Sequence, residues 1–225
     1  MSLVDDLASA FSRFPPVDPG TPFRPYNGSG RFGGQRSSHQ AGGHSRQRLV
    51  LRNSATTGVG DIVFVYGDPS DTTLMGDWNG DGTDTPGVVR NGVWHLRNSN
   101  TTGFGEISLA YGDPGDTPVV GDWDGNGTDT PGGVEGPGAF EQDGFATATW
   151  RLHNNNSSTD YAGFPSFSYR AQGKSFFTGD WNGDGRFSPG AFDAERGIWS
   201  LRNANTDGGT DSVFRYGDPG DRPLT

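Results

Sequence analysis

The sequence predicts an all-β protein, a β-propeller of about four four-stranded blades. Three recurring segments predict it. Gly-Asp-Trp-(Asn/Asp)-Gly-(Asp/Asn)-Gly occurs at 76–82, 121–127 and 179–185. Trp-x-Leu-x-Asn occurs at 94–98, 150–154 and 199–203, with Leu49-Val50-Leu51-Arg52-Asn53 as an earlier copy. Tyr-Gly-Asp-Pro begins at Tyr66, Tyr111 and Tyr216, with a worn copy at Tyr169. All six tryptophans fall in the first two segments, which marks the repeat as the frame of the core.

The elements follow in chain order. Leu3, Val4, Leu7, Ala8 and Phe11 lie at helix-like spacing, so 1–17 is expected to be a short helix or tether. The remainder, 18–225, is expected to be one propeller domain. Its units are 27–75, 76–120, 121–178 with an insertion at 135–149, and 179–225. Asn27-Gly28-Ser29-Gly30-Arg31-Phe32 is a degraded copy of the acidic loop.

The cleanest unit shows the strand pattern. Residues 87–90 form a strand, Asn91-Gly92 is a strong hairpin turn, and 93–97 returns. Trp94 and Leu96 share one face by the period of two. A polar turn at 98–103 leads to a third strand at 106–112. Asp113-Pro114-Gly115-Asp116 is a proline-led turn, and 118–121 is a short fourth strand. One such unit cannot bury both faces alone, whereas stacked units can. A strand from 21–24 or from 222–225 is expected to close the ring.

Glycine supplies 38 and proline 15 of the 225 residues, about twice the usual share. That excludes a helical bundle. Collagen is excluded because glycine lacks the period of three. Fifteen phenylalanines beside the tryptophans argue against disorder. The formal net charge is −10 with no basic run, so nucleic acid is not an expected partner. No stretch is apolar enough for a membrane helix. No cysteine is present, which removes disulfides and thiolate zinc sites.

The acidic loops are the candidate metal sites. In the first, Asp77, Asn79 and Asp81 occupy positions 1, 3 and 5, Gly82 turns the chain, and Thr83 offers a carbonyl. The second places Asp122, Asp124, Asn126 and Thr128 likewise, and the third Asp180, Asn182, Asp184 and Arg186. Position 8 is acidic in two loops, at Asp84 and Asp129. Alternating oxygen donors with an early glycine match the head of a calcium loop. The competing reading is that Asp, Asn and Gly make tight turns whose side chains cap their own backbone.

These Gly-Asp-Trp loops resemble the FG-GAP and VCBS-like repeats, with relatives in integrin alpha-chain propellers and in bacterial surface or secreted proteins. The resemblance covers about 18–225. It implies propeller blades holding about two or three structural calcium ions in loops between strands. The family commonly places an aspartate at position 9, where this chain has Thr85, Thr130 and Ser188. The repeat type also implies an extracellular, cell-surface or particle-associated setting. The start, 1–14, lacks the basic and apolar regions of a secretory signal.

Two function classes are expected. The leading one is a non-enzymatic binding or structural module, stabilised by calcium, that contacts protein or glycan at a surface or in a larger assembly. The alternative is a carbohydrate-active or hydrolytic propeller with chemistry in the central channel or on Glu135 and Glu141 of the insertion. His39 and His44 lie in a loose polar stretch; His95 and His153 decorate strands. Arg52, Arg97 and Arg202 are expected to pair with Asp68, Asp113 and Asp218.

Overall fold

A computed structural model describes residues 46–54, 57–138, 140–141, 143–157 and 164–221, with backbone alone at 164–165. The expected tether at 1–17, the worn loop at 27–32, both candidate closing strands, His39 and His44 lie outside these residues.

The described chain is all-β. β1 (Arg48–Leu51) pairs with β2 (Ile62–Val65) in a two-stranded sheet. β3 (Thr72–Gly76), β4 (Thr85–Arg90), β5 (Val93–Leu96) and β6 (Ile107–Ala110) form the second sheet in chain order. The third contains β7 (Thr117–Gly121), β8 (Thr130–Glu135), β9 (Ala146–Leu152) and β10 (Phe164–Ala171). The fourth contains β11 (Ser175–Gly179), β12 (Ser188–Asp193), β13 (Ile198–Leu201) and β15 (Ser212–Arg215). β14 (Gly208–Gly209) leaves the fourth unit and pairs in parallel with β10, tying the third and fourth sheets at their edges.

The hairpins follow the predicted chemistry. Asn91 at φ 51° and Gly92 at φ 77° join β4 to β5, the left-handed pair that a two-residue turn matched to strand twist requires. Val89 then faces Trp94, and Gly87 faces Leu96.

The repeat punctuates a packing problem. Each loop tryptophan folds back over its own hairpin. A Cβ at Gly76 or Gly87 would lie 2.8 or 2.9 Å from the Trp78 ring. Gly121 and Gly132 stand in the same relation to Trp123. The recurring Gly-Asp-Trp and Pro-Gly pairs therefore line a seat for an indole, and Trp78 Nε1 donates to the Thr85 carbonyl at 2.9 Å.

The core divides into four clusters, and three borrow from the next sheet. Leu49, Phe64 and Tyr66 of the first unit pack with Val88 of β4. Trp78, Trp94, Leu96 and Leu109 are completed by Val120 of β7. The largest, around Trp123, Trp150, Leu152 and Tyr169, takes Phe176 of β11 and Ala191 of β12. The fourth holds Phe177, Phe192 and Leu201, with Trp181, Trp199 and Phe214 only partly buried around them.

The propeller expectation is corrected here. The described residues form four separate sheets, none closed or curled into propeller blades, so the likeness to the FG-GAP and VCBS-like propellers fails at the level of the fold. The physical reason is that each of the first three sheets packs on the next one along the chain, with β3 against β7 and β7 against β11. The repeat period dictates hairpins and their stacking, and leaves ring closure unspecified.

Trp150 is fully buried among Phe167, Tyr169 and Phe176, with ring centroids 5.8 to 6.3 Å away. Trp150→Ala is expected to cost about 3–5 kcal/mol, and Trp199→Ala distinctly less, because its site is already part open to water. Urea unfolding of the two variants checks the ranking.

Candidate functional site

The three acidic loops are the hairpin connections β3–β4, β7–β8 and β11–β12. In the first, the Asp77 carboxylate turns inward. Its Oδ1 accepts the Asp81 N–H at 3.0 Å and its Oδ2 the Gly82 N–H at 2.7 Å. Asp81 Oδ1 accepts the Thr83 N–H at 2.9 Å, while Asn79 Oδ1 accepts from Asp81 N–H and Asn79 Nδ2 donates to Asp81 Oδ2. Gly80 and Gly82, at φ 73° and 85°, keep these amides converging.

The second loop repeats the arrangement. Asp122 accepts from the amides of Gly125, Asn126 and Gly127 at 2.7 to 3.0 Å. Asp124 accepts from Asn126, and Asn126 Oδ1 from the Thr128 N–H. In the third, Asp180 accepts from Gly183, Asp184 and Gly185, and Asp184 accepts from the Arg186 N–H. Asn182 Nδ2 donates to Asp184 Oδ2 at 2.9 Å.

The calcium expectation is therefore corrected. Among the described residues no group of three or more His, Cys, Asp or Glu side chains is placed to hold a metal ion. Oxygens at positions 1, 3 and 5 cap the loop's own amides, which is the turn chemistry open to Asp and Asn. Position 9 carries a hydroxyl for the same architectural reason. Thr85, Thr130 and Ser188 are buried and donate to the carbonyls of Gly76, Gly121 and Gly179 at 3.3 to 3.4 Å, closing the hairpin base.

Position 8 does something that a single loop does not reveal. Asp129 N–H donates to the Asp77 carbonyl at 2.8 Å, and Asp129 Oδ2 accepts the Asp77 N–H at 2.9 Å. Loop two is thus bonded to loop one through a buried carboxylate. Loop three repeats the first half of the pair, Phe187 N–H to the Asp122 carbonyl at 2.7 Å, and has no carboxylate for the second. Asp84 holds this position in loop one, where its backbone carbonyl accepts from Asn100.

A second device was missed in the sequence. Asn100, Asn156 and Asn205 each donate Nδ2 to the position-8 carbonyl of their own unit, at Asp84, Asp129 and Phe187. Asn156 also bonds the Trp78 carbonyl one loop back. The signal was present as the second asparagine of Arg/His-Asn-x-Asn at 97–100, 153–156 and 202–205.

The expected arginine pairing is also revised. Arg97 clamps its own loop through the Thr101 and Phe104 carbonyls and Glu106, and Arg202 clamps Thr206, Asp207 and Gly209 in the same way. Arg52 reaches Ser54 and the Val59 carbonyl. Asp68 and Asp71 instead meet Arg90 at 2.7 Å, and Asp113 and Asp116 meet Arg151 at 3.8 and 3.3 Å. Burial works against the Asp71 charge, but the Arg90 and Asp68 hydrogen bonds outweigh it and hold the carboxyl below its ordinary 3.8. Burial first, then Glu106, pushes the Tyr66 hydroxyl up to about 12.

The candidate acid–base pair is dispersed. Glu135 is bound by Arg151 at 2.7 Å and Glu141 by Arg170 at 2.9 Å. His95 Nδ1 meets Ser108 Oγ at 2.9 Å, and buried His153 meets the Asn155 carbonyl with its ring 4.8 Å from Tyr111. What the insertion builds is a cleft of about 610 Å³ against the β11–β12 sheet, lined by Phe140, Glu141, Asp143, Lys174, Phe192 and Arg196 among others. Lys174 Nζ sits 5.3 Å from the Phe140 ring centre, and Arg170 sits 4.6 Å from that of Phe145.

Comparison with protein families, curated proteins and solved structures finds no match to this chain.

Two outcomes follow from these loops. Asp122→Ala strands three amides and is expected to cost about 1–3 kcal/mol, with the same loss measured in chelator and in calcium. The Asp71 carboxyl is more acidic folded than unfolded, so its contribution is present above about pH 4 and lost as the pH falls through its folded value. In an acid titration of stability, Asp71→Asn should be less stable near neutrality and show a shallower decline below that pH.

Proposed function

We propose that the chain is a non-enzymatic binding or structural module, in which stacked sheets form a frame and the insertion presents the contact site. The setting proposed is a surface or a larger assembly, with a protein or glycan as the partner. Among the described residues no helix is long and apolar enough to cross a membrane.

The observation that carries the reading is the cleft beside the insertion. Phe140 is exposed at its rim, with a cation on its face and the Glu141 and Asp143 carboxylates beside it. An open aromatic flanked by fixed polar groups can stack on a sugar ring or anchor a peptide side chain while the charges set orientation. The repeat supplies what such a loop needs, a backbone held on both sides by regular hairpins. The hydrolytic alternative has no observation in its favour, since Glu135 and Glu141 are taken up by different arginines.

A glycan array and a peptide display, each run on the full chain, test this. Binding is expected, and Phe140→Ala with Lys174→Ala should weaken it by about ten-fold or more at an unchanged melting temperature. Binding that ignores both substitutions would remove the cleft from consideration.

A further inference from the structure

We propose that the cleft beside the insertion takes a neutral pyranose sugar, with one ring seated on Phe140 and a hydroxyl held between Lys174 and Glu195. This deepens the binding-module reading above and rests on it. The cleft lies where the third unit meets the fourth, and that junction departs from the two before it. Asp71 directly precedes β3, and Asp116 directly precedes β7. Their side chains are 0% and 8% exposed and meet Arg90 and Arg151 of the unit that follows, at 2.7 and 3.3 Å. Lys174 holds the same place before β11, in the worn copy of the Tyr-Gly-Asp-Pro segment, and Asp193 ends β12 as Arg90 ends β4. Acid and base have changed sides, yet the two do not meet. Asp193 is taken by Arg196 of its own hairpin at 3.3 Å, and the carboxylate that Lys174 faces is Glu195.

The charges around the cleft set the class of ligand. Arg170 holds Glu141 and Asp143 at 2.9 and 2.5 Å. Lys174 and Glu195 are the loose pair, 3.8 Å apart with side chains 68% and 82% exposed. Neither side chain makes a hydrogen bond among the described residues. An exposed pair of this kind contributes little, so it yields to a ligand at small cost. Glu141, Asp143, Asp193 and Glu195 stand against Arg170, Lys174 and Arg196, which leaves no surplus cation for an anionic ligand. A cationic ligand would have to displace Lys174, whose Nζ is already 5.3 Å from the Phe140 ring centre. A hydroxyl suits both members of the loose pair, since it accepts from an ammonium and donates to a carboxylate at once.

Phe140 supplies the apolar half of the site. It is 39% exposed, and its closeness to Lys174 puts an apolar contact and a hydroxyl contact within reach of one ring. A pyranose carries C–H groups across its face and hydroxyls around its edge. A peptide serine offers the hydroxyl without the apolar face beside it. The sugar ring is also rigid, so it engages both groups without the ordering cost of a flexible side chain. The insertion is braced for this from the opposite side. A Cβ at Gly144 would lie 3.2 Å from Arg196 Nη1, so the glycine admits a guanidinium from the β12–β13 hairpin against the insertion's own backbone.

The full chain tests this on an array of neutral, sialylated and sulfated oligosaccharides and on a peptide display, followed by calorimetric titration with the best neutral sugar. Neutral sugars should bind, with an affinity that salt leaves unchanged. Glu195→Ala and Lys174→Met should each weaken binding about ten-fold. Glu195→Gln, which keeps an acceptor oxygen, should weaken it less than Glu195→Ala. Both sites are exposed, and an unchanged melting temperature confirms that each variant folds. Sialylated or sulfated sugars that bind best, or tighter binding on loss of Glu195, overturn the proposal. Peptides that bind through Phe140 while no sugar does overturn it and leave the binding-module reading standing. Sugar binding that ignores Phe140→Ala, Lys174→Met and Glu195→Ala, or no binding of any probe, overturns both.

Discussion

A buried carboxylate that closes its own loop is the constraint on which this structure rests. Asp77 and Asp122 are almost fully removed from water, a costly place for a charge unless it is hydrogen-bonded. Each takes up amides of the loop that follows it, and the next loop then donates a backbone N–H to its carbonyl, Asp129 to Asp77 and Phe187 to Asp122. Asp129 makes the dependence explicit, since its carboxylate caps the backbone of the preceding loop rather than its own. Asp180, over which no later loop lies among the described residues, is only partly buried. Burial of the first aspartate therefore tracks stacking.

The same logic governs the apolar side. No single hairpin set encloses its tryptophans alone, so Val88, Val120 and Ala191 each complete the cluster of the preceding unit. Glycine lets this happen at short range. A side chain at Gly121 would meet both Trp123 and Phe187, so the glycine surplus marks where sheet, indole and neighbouring loop come within contact distance. Polar and apolar layers run in one direction along the chain, which gives the array two unlike ends.

Much of this was legible in the sequence. Asn91-Gly92 specified a hairpin because only left-handed residues fit that turn, and the tryptophan spacing located the core. Other features depended on information that a single segment does not hold. Oxygens at positions 1, 3 and 5 look the same whether they face a cation or their own amides, so Asp77, Asn79 and Asp81 were compatible with both. The role of Asp129 lies in a bond to a residue 52 positions away. Asn100, Asn156 and Asn205 recur plainly, but their partner carbonyls are found only in space. Ring closure is not legible in the repeat, because a period fixes how one unit meets the next and not the angle at which many units return.

Amide hydrogen exchange on metal-free protein tests the central claim most directly, because it observes the N–H groups that the loop carboxylates hold. Gly82 and Gly127 should exchange slowly in chelator, and Gly185, in the uncovered third loop, faster. Addition of calcium should leave all three rates unchanged. Fast exchange at all three amides in chelator, slowed on adding calcium, would contradict the account and show that a cation, rather than the backbone, organises these loops.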